Sequence, residues 1–124
     1  MNILVIEDDR LTLKAVKFAL NQKGHKVFLA SNEQNALNQL KQHPIDLIVS
    51  DINLPGHPMI TEMVQKLKTF DSKERPIILI SSVLDNPLID DSLLRGANAF
   101  IPKPIDYELL AQVVERWTPL ESVG

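Results

Sequence analysis

Short apolar blocks alternate along the chain with longer segments in which apolar residues recur at helical spacing. Most of the blocks are rich in Val, Ile and Leu, which is typical of strands buried on both faces of a sheet. The predicted strands are residues 3–6, 26–30, 46–50, 76–81 and 98–101. Because a parallel strand can be reached only by a crossover, the alternation predicts an α/β fold whose helices cover both faces of a parallel sheet.

The segments between and after the blocks predict helices. Apolar residues share one face in the first segment (Leu13, Val16, Leu20), the second (Ala36, Leu37, Leu40), the third (Met63, Val64, Leu67) and the last (Leu109, Leu110, Val113, Val114). A fourth helix around residues 88–95 is less regular, and Gly24 and Gly96 stand where helices would end. We therefore predict a flavodoxin-like (βα)5 doubly wound parallel sheet with strand order 2-1-3-4-5.

Composition restricts the classes of function. The 124 residues, 44% hydrophobic and 23% charged, fit one soluble domain without a membrane-spanning run. The start resembles no secretion signal and the chain has no cysteine, which favours a cytoplasmic protein without disulfides or thiolate metal sites. A net charge of -3 argues against direct binding of nucleic acid, because phosphate affinity comes from clustered Lys and Arg.

Polar residues interrupt the chain where predicted strands end. Glu7-Asp8-Asp9 follows the first strand, Asp51 the third, Ser81 closes the fourth and Lys103 comes after the fifth. In a doubly wound sheet these ends meet at one edge, at the usual ligand crevice. Three carboxylates about 4 Å apart repel one another by about 4 kcal/mol per pair at an effective dielectric of about 20, so the cluster predicts a divalent cation. Mg²⁺, which prefers hard oxygen ligands and shares them with phosphate, is the natural candidate.

Each of these residues also has an ordinary structural interpretation. The acids at 7–9 could cap the first helix, with Asp9 the expected N-cap, and Asp51 could cap a turn. Lys103 could be a solvated lysine and Phe100 a strand aromatic of the core. The three histidines lack metal-ligand spacing, and we interpret them as surface or loop residues: His25, His43 and His57.

Four motifs in order resemble one family. Ile-Leu-Val-Ile-Glu-Asp-Asp at residues 3–9, Asp-Ile-Asn-Leu-Pro-Gly at 51–56, Ile-Leu-Ile-Ser-Ser at 78–82 and Lys-Pro at 103–104 resemble the receiver domain of two-component response regulators. The resemblance covers nearly the whole chain, with residues 1–120 as the receiver domain and 121–124 as a tail or the start of a linker.

The resemblance implies a role for each residue of the cluster. Asp51 would be the phosphoacceptor, with Ser81 and Lys103 contacting the phosphoryl group. Mg²⁺, or Mn²⁺ in its place, would be bound by Asp8, Asp51 and the backbone carbonyl of Asn53, while Glu7 would hold its waters. Ser81 and Phe100 would form a switch that changes the surface of the fourth helix, fifth strand and fifth helix. The Lys103–Pro104 bond would be cis.

The resemblance also implies partners and leaves alternatives open. The phosphoryl group would come from a histidine kinase or phosphotransfer protein, an output domain or effector would read the switched surface, and a phosphorylation-dependent homodimer is compatible with the family. The chain would not be an enzyme beyond its own phosphorylation and dephosphorylation. One alternative is a pseudoreceiver that binds proteins without useful phosphorylation, because His57-Pro58-Met59 departs from the family pattern. An aspartyl phosphatase is disfavoured, since Asn53 stands where its general acid would be.

Overall fold

The computed structural model describes residues 1–51, 60–81 and 96–117 and contains one parallel sheet of five strands. The strands are β1 (Asn2–Ile6), β2 (Lys26–Ala30), β3 (Leu47–Asp51), β4 (Ile77–Ser81) and β5 (Ala99–Pro102). Their order is β2-β1-β3-β4-β5, so the predicted flavodoxin-like topology is confirmed. Each strand agrees with its prediction to within one residue at either end.

Four α-helices lie in the described part of the chain: α1 (Arg10–Gln22), α2 (Glu33–Gln42), α3 (Ile60–Lys68) and the C-terminal helix (Tyr107–Arg116). The side chains of Asp9, Asn32 and Asp106 cap α1, α2 and the C-terminal helix by accepting bonds from backbone N–H groups of the first turn. After α1, Gly24 has φ 89°, a conformation that glycine adopts without strain. The predicted fourth helix, residues 88–95, lies outside the described residues.

The helices bury the two faces of the sheet separately. Alternate strand residues such as Leu4, Ile48 and Leu79 form one apolar cluster with α2 and α3. Their neighbours, such as Val5 and Val49, form the other cluster with α1 and the C-terminal helix. The period of two along a strand produces this division, and the apolar runs of the sequence supply both faces at once. None of the described helices is long and apolar enough to cross a membrane.

Three sequence interpretations were wrong. Leu109, assigned to the buried face of the last helix, is 39% exposed, while Leu110, Val113 and Val114 are buried. His25 is buried rather than on the surface. The polar stretch at residues 71–75 predicts a solvated loop from its sequence, but it contains a buried arginine, Arg75, and begins in a 3₁₀ turn.

The β2 edge of the sheet is partly covered by α2. Gln39 Nε2 donates to the backbone carbonyl of Leu29 at 2.9 Å, and the exposed Lys26 begins the strand. His43, the C-cap of α2, stacks on Phe28 with ring centroids 4.2 Å apart. The outermost strand is therefore held by side chains as well as by its pairing with β1.

Candidate functional site

The turn after β1 is organised by its own acids. Asp9 begins α1 and accepts hydrogen bonds from the backbone N–H of Thr12 at 3.0 Å and from the Thr12 hydroxyl. These bonds lower the pKa of Asp9 and confirm it as the N-cap. Its backbone N–H donates to Glu7 Oε1 at 3.2 Å. The cap therefore fixes the turn that directs Glu7 toward the neighbouring strand.

Strand pairing brings three carboxylates together. β1 and β3 are adjacent with Ile6 opposite Ser50, so Glu7 and Asp51 follow at the same level of the sheet. One carboxylate oxygen from each of Glu7, Asp8 and Asp51 lies within 4.8 Å of the others. Glu7 and Asp51 are buried, whereas Asp8 is exposed at the mouth of the cluster. This arrangement offers three hard oxygen donors on one side and access from solvent on the other.

Lys103, the residue after β5, brings a positive charge to the cluster. In the sheet, β5 lies two strands away from β3. Its Nζ donates to Asp51 Oδ2 at 3.0 Å and lies 3.6 Å from Glu7 Oε2. Burial acts to lower the pKa of Lys103, but the hydrogen bond and charge of Asp51, together with Glu7, raise it overall. The lysine therefore remains protonated between two acids. The peptide bond between Lys103 and Pro104 is cis.

One ammonium does not neutralise the cluster. The pKa of Glu7 is raised to about 7, first by burial and then by its interaction with Asp51. Its Oε2 atom is buried and has no hydrogen-bond partner among the residues that the structure describes. Among the described residues, the charge of this oxygen is balanced by the Lys103 ammonium at 3.6 Å, which Glu7 shares with Asp51. The donor set of three carboxylates and the solvent-facing Asp8 fit a small, hard divalent cation such as Mg²⁺.

The structure describes some of the other residues predicted for the site and leaves others outside the described ranges. Ser81 ends β4 opposite Pro102 of β5, and Ile80 pairs with Asp51, so Ser81 lies one residue beyond the level of the acid. Phe100 is half-buried on β5 and packs against the α2–α3 cluster. The predicted carbonyl ligand, Asn53, and the altered segment 57–59 lie outside the described residues.

Sequence reasoning missed one polar group next to the cluster. Ser50 is fully buried in β3, and its hydroxyl donates to the backbone carbonyl of Asp51 at 3.0 Å. A serine directly after the apolar residues 47–49 was the available signal, because a polar residue in a strand buried on both faces needs a partner. The Ser50 hydroxyl therefore finds its hydrogen-bond partner in the next residue, at the end of β3.

The family model described as the response regulator receiver domain matches residues 3–115. The chain belongs to the response regulator receiver family. Sporulation initiation phosphotransferase F of Bacillus subtilis is 28% identical over 97% of this chain and 95% of its own length. The transcriptional regulatory protein CrdR of Helicobacter pylori is 28% identical, and the match covers 93% of this chain.

A solved structure agrees with this assignment. The CheY-like receiver domain protein of Methanospirillum hungatei matches with a TM-score of 0.83 at 27% identity, over 99% of this chain and 98% of its own. The match to CrdR spans 54% of that regulator's length, whereas the match to sporulation initiation phosphotransferase F spans 95% of its length. This receiver chain therefore corresponds to about half of such a transcriptional regulator.

Proposed function

We propose that this receiver domain accepts a phosphoryl group on Asp51 and thereby controls an output partner in a two-component pathway. The observation that carries the proposal is the short contact of Lys103 Nζ with Asp51 Oδ2, inside a cluster that also holds Glu7 and Asp8. A structural ion pair would need one acid, whereas here one lysine contacts two acids and a third carboxylate, that of Asp8, lies within 4.8 Å of both. Crowded carboxylates beside a cation are suited to phosphoryl transfer, which depends on positioning and on charge stabilisation.

In the proposed reaction, an Asp51 carboxylate oxygen forms a bond to the phosphorus of a donor. When the donor is a phosphohistidine, the P–N bond breaks and the imidazole nitrogen keeps the electron pair. Lys103 stays at the Asp51 oxygen and stabilises the negative charge of the transferring group. The turn anchored by Asp9 keeps Glu7 in place. Ser81, at the end of the adjoining strand, provides the hydroxyl that the modified side chain attracts.

The residues that would hold Mg²⁺ are Asp8, Asp51 and the carbonyl of Asn53, with Glu7 holding its waters. When bound, the ion would neutralise the acids and the equatorial phosphoryl oxygens. Support comes from the buried Glu7 oxygen, which accepts no hydrogen bond from the described residues, and from the proximity of the three carboxylates. Movement of Ser81 and Phe100 would then alter the surface that includes β5 and the C-terminal helix, which is a local electrostatic event with a distant readout.

The proposed partners follow from the same chemistry. The donor is a histidine kinase or a phosphotransfer protein, and the recipient of the signal is an effector or an output domain. We assign residues 1–120 to the receiver domain and 121–124 to a tail or linker. The family model matches residues 3–115, which lie within the proposed receiver domain.

The first test is phosphorylation by a small donor. After incubation with Mg²⁺ and acetyl phosphate, intact-mass spectrometry should find one added phosphoryl group, and Asp51→Asn should remove it. Asp46→Asn is the matched control, because this acid lies at the opposite end of the sheet and its bond to the Asn2 N–H can be kept by an amide oxygen. Failure of the wild-type chain to gain mass would favour the pseudoreceiver alternative, provided that beryllofluoride also leaves the NMR signals of Ser81 and Phe100 unchanged.

The second test measures magnesium without phosphorylation. At ten times its dissociation constant, Mg²⁺ should raise the free energy of unfolding by about 1.4 kcal/mol through linkage. Asp8→Asn should remove most of this gain, because Asp8 is a direct ligand in the proposal. Asp71→Asn, an acid outside the cluster, should retain it. Equal stabilisation of the wild type and Asp8→Asn would show that the ion binds elsewhere.

A further inference from the structure

Ser50 is a polar residue in the apolar interior of the sheet, and its side chain is completely buried. It pairs with Ile6 of β1 and with Leu79 of β4, both of which are buried in the cluster under α2 and α3. Paired residues of a parallel sheet project from the same face, so the Ser50 hydroxyl lies among apolar side chains. An alanine or a valine would fit this position without the cost of burying a hydroxyl, so a serine here needs a compensating interaction.

The Ser50 hydroxyl interacts with the proposed phosphoacceptor itself. Its Oγ donates to the backbone carbonyl of Asp51 at 3.0 Å. The ring closed by this bond contains ψ of Ser50 and both φ and ψ of Asp51. The bond therefore restrains the torsions that set the direction of the Asp51 side chain and the direction in which the chain leaves β3. It acts where the sheet ends, because the pairing of β3 with β1 stops at Ser50 and its pairing with β4 stops at Asp51.

The Asp51 side chain is held from its other end by Lys103, whose Nζ donates to Oδ2 at 3.0 Å. Lys103 restrains the carboxylate, and Ser50 restrains the backbone from which that carboxylate extends. A nucleophile must be aligned with the phosphorus that it attacks, and a misplacement of about 1 Å can cost about 100-fold in rate. The two contacts together therefore define the geometry of the acid.

We propose that Ser50 is a positioning residue for phosphoryl transfer to Asp51. This role, which rests on the proposed function, involves no contact between Ser50 and the phosphoryl group. The hydroxyl keeps the Asp51 backbone in the conformation that presents the carboxylate to Lys103 and to the donor. Loss of the hydroxyl leaves the acid and the fold in place, but the carboxylate is aligned for a smaller fraction of the time.

The decisive variant is Ser50→Ala, and Ser50→Thr is the rescue that restores a hydroxyl. With saturating Mg²⁺ and acetyl phosphate, the initial rate of mass gain should be about tenfold lower in Ser50→Ala than in the wild type, and within about threefold of the wild type in Ser50→Thr. Urea denaturation checks the fold, and the midpoint of Ser50→Ala should fall by no more than about 0.5 M. A Ser50→Thr chain as slow as Ser50→Ala, at the wild-type midpoint, would overturn the proposal.

Asn98→Ala separates positioning from stability. Asn98 Oδ1 accepts from Lys68 Nζ and from the N–H of Ile77, the first residue of β4, so this change destabilises the opposite end of the sheet. Asn98→Ala should be less stable than Ser50→Ala in urea, yet its rate of mass gain should stay within about twofold of the wild type, because the two sites are independent. If Asn98→Ala were slowed as much as Ser50→Ala, the rate would follow stability and the positioning role would be refuted.

A measurement without phosphate distinguishes this role from the proposed function. In ¹³C NMR spectra of the unmodified chain, the backbone carbonyl signal of Asp51 should move upfield in Ser50→Ala, because the carbonyl loses a hydrogen-bond donor, and should return in Ser50→Thr. If the wild-type chain gained no mass, the proposed function would fail, and this signal would still show whether Ser50 fixes the Asp51 backbone. An unchanged carbonyl signal, or a wild-type rate in Ser50→Ala, would overturn the role of Ser50 alone.

Discussion

The two ends of the sheet bury polar groups in opposite ways. At the amino ends of the strands, buried cationic and imidazole side chains find hydrogen-bond partners. At the carboxyl ends, Glu7 and Asp51 are buried beside each other, and one Glu7 oxygen lacks a hydrogen bond within the described residues. Buried polar groups that have hydrogen-bond partners stabilise a fold. Crowded like charges reduce its stability, and proteins keep them where function requires them. The contrast separates the ionisable groups that maintain the structure from the acids that we propose take part in phosphoryl transfer.

Arg75 shows how the amino end is built. Its Nε donates to the carbonyl of Ile45 at 3.0 Å, and Nη1 donates to the carbonyls of Phe70 and Lys73 at 2.9 and 3.0 Å. Burial lowers the pKa of Arg75, while nearby acids oppose that change. One guanidinium therefore connects the turn before β3 to the segment before β4.

Lys68 and His25, like Arg75, are buried at this end of the sheet and have hydrogen-bond partners. Lys68 Nζ donates to Asn98 Oδ1 at 2.7 Å, and the same oxygen accepts from the Ile77 N–H at 3.0 Å. Burial lowers the pKa of Lys68, with the charge of Glu74 acting against it. His25 lies between the amino group of Met1, 3.1 Å from Nδ1, and Glu115, 3.0 Å from Nε2.

The largest expected effect is at Arg75. Arg75→Ala should lower the free energy of unfolding by about 3 kcal/mol, because three backbone carbonyls lose a charged donor in a buried site. Urea denaturation measures the change. Lys73→Ala, an exposed neighbour whose backbone carbonyl is kept, should stay within about 0.5 kcal/mol of the wild type. Equal effects of the two changes would contradict a structural role for the amino end.

Asn98 should have the next largest effect. Asn98→Ala removes the acceptor shared by Lys68 and Ile77 and should cost about 2 kcal/mol in urea denaturation. Lys68→Met keeps the apolar stem and leaves the Ile77 bond in place, so it should cost less than about 1 kcal/mol. If Lys68→Met proved the more harmful change, the ammonium rather than the amide would be the central group.

Glu7 should show the smallest effect, with the opposite sign. At pH 8, above its pKa of about 7, Glu7→Gln should raise the free energy of unfolding without divalent cations by about 1 kcal/mol, since a negative charge leaves the cluster. The same variant should gain less from added Mg²⁺ than the wild type. Glu74→Gln, at the amino end and exposed, should change neither quantity by more than about 0.5 kcal/mol. A less stable Glu7→Gln chain would mean that the acids are held for structure.

Much of the fold could be predicted because its signals are local. The β–α alternation indicates a doubly wound parallel sheet, and the carboxylates at 7, 8 and 51 meet because parallel strands end at one edge. The capping role of Asp9 was also readable from its position before a helical segment. The proximity of Lys103 to Asp51 was expected from the resemblance and from its place after β5.

What could not be predicted depends on partners far apart in the chain. His25 is buried because it meets Glu115, 90 residues away, and no local pattern records that distance. Arg75 stood in a polar stretch, and its burial depends on the carbonyl of Ile45. Leu109 fitted the apolar stripe of its helix, but the rotation of the helix on the sheet turns it outward. Such outcomes are set by tertiary packing.

The bond from Gln39 to Leu29 bears on how the protein behaves when crowded. An unprotected edge strand offers free backbone groups on which other chains can pair and grow into fibrils. Here the side-chain amide of Gln39 on α2 donates a hydrogen bond to the backbone carbonyl of Leu29 in β2. Lys26 places a positive charge at the start of the same edge strand. Stacking of further chains on this side of the sheet is therefore opposed by the side chains of Gln39 and Lys26.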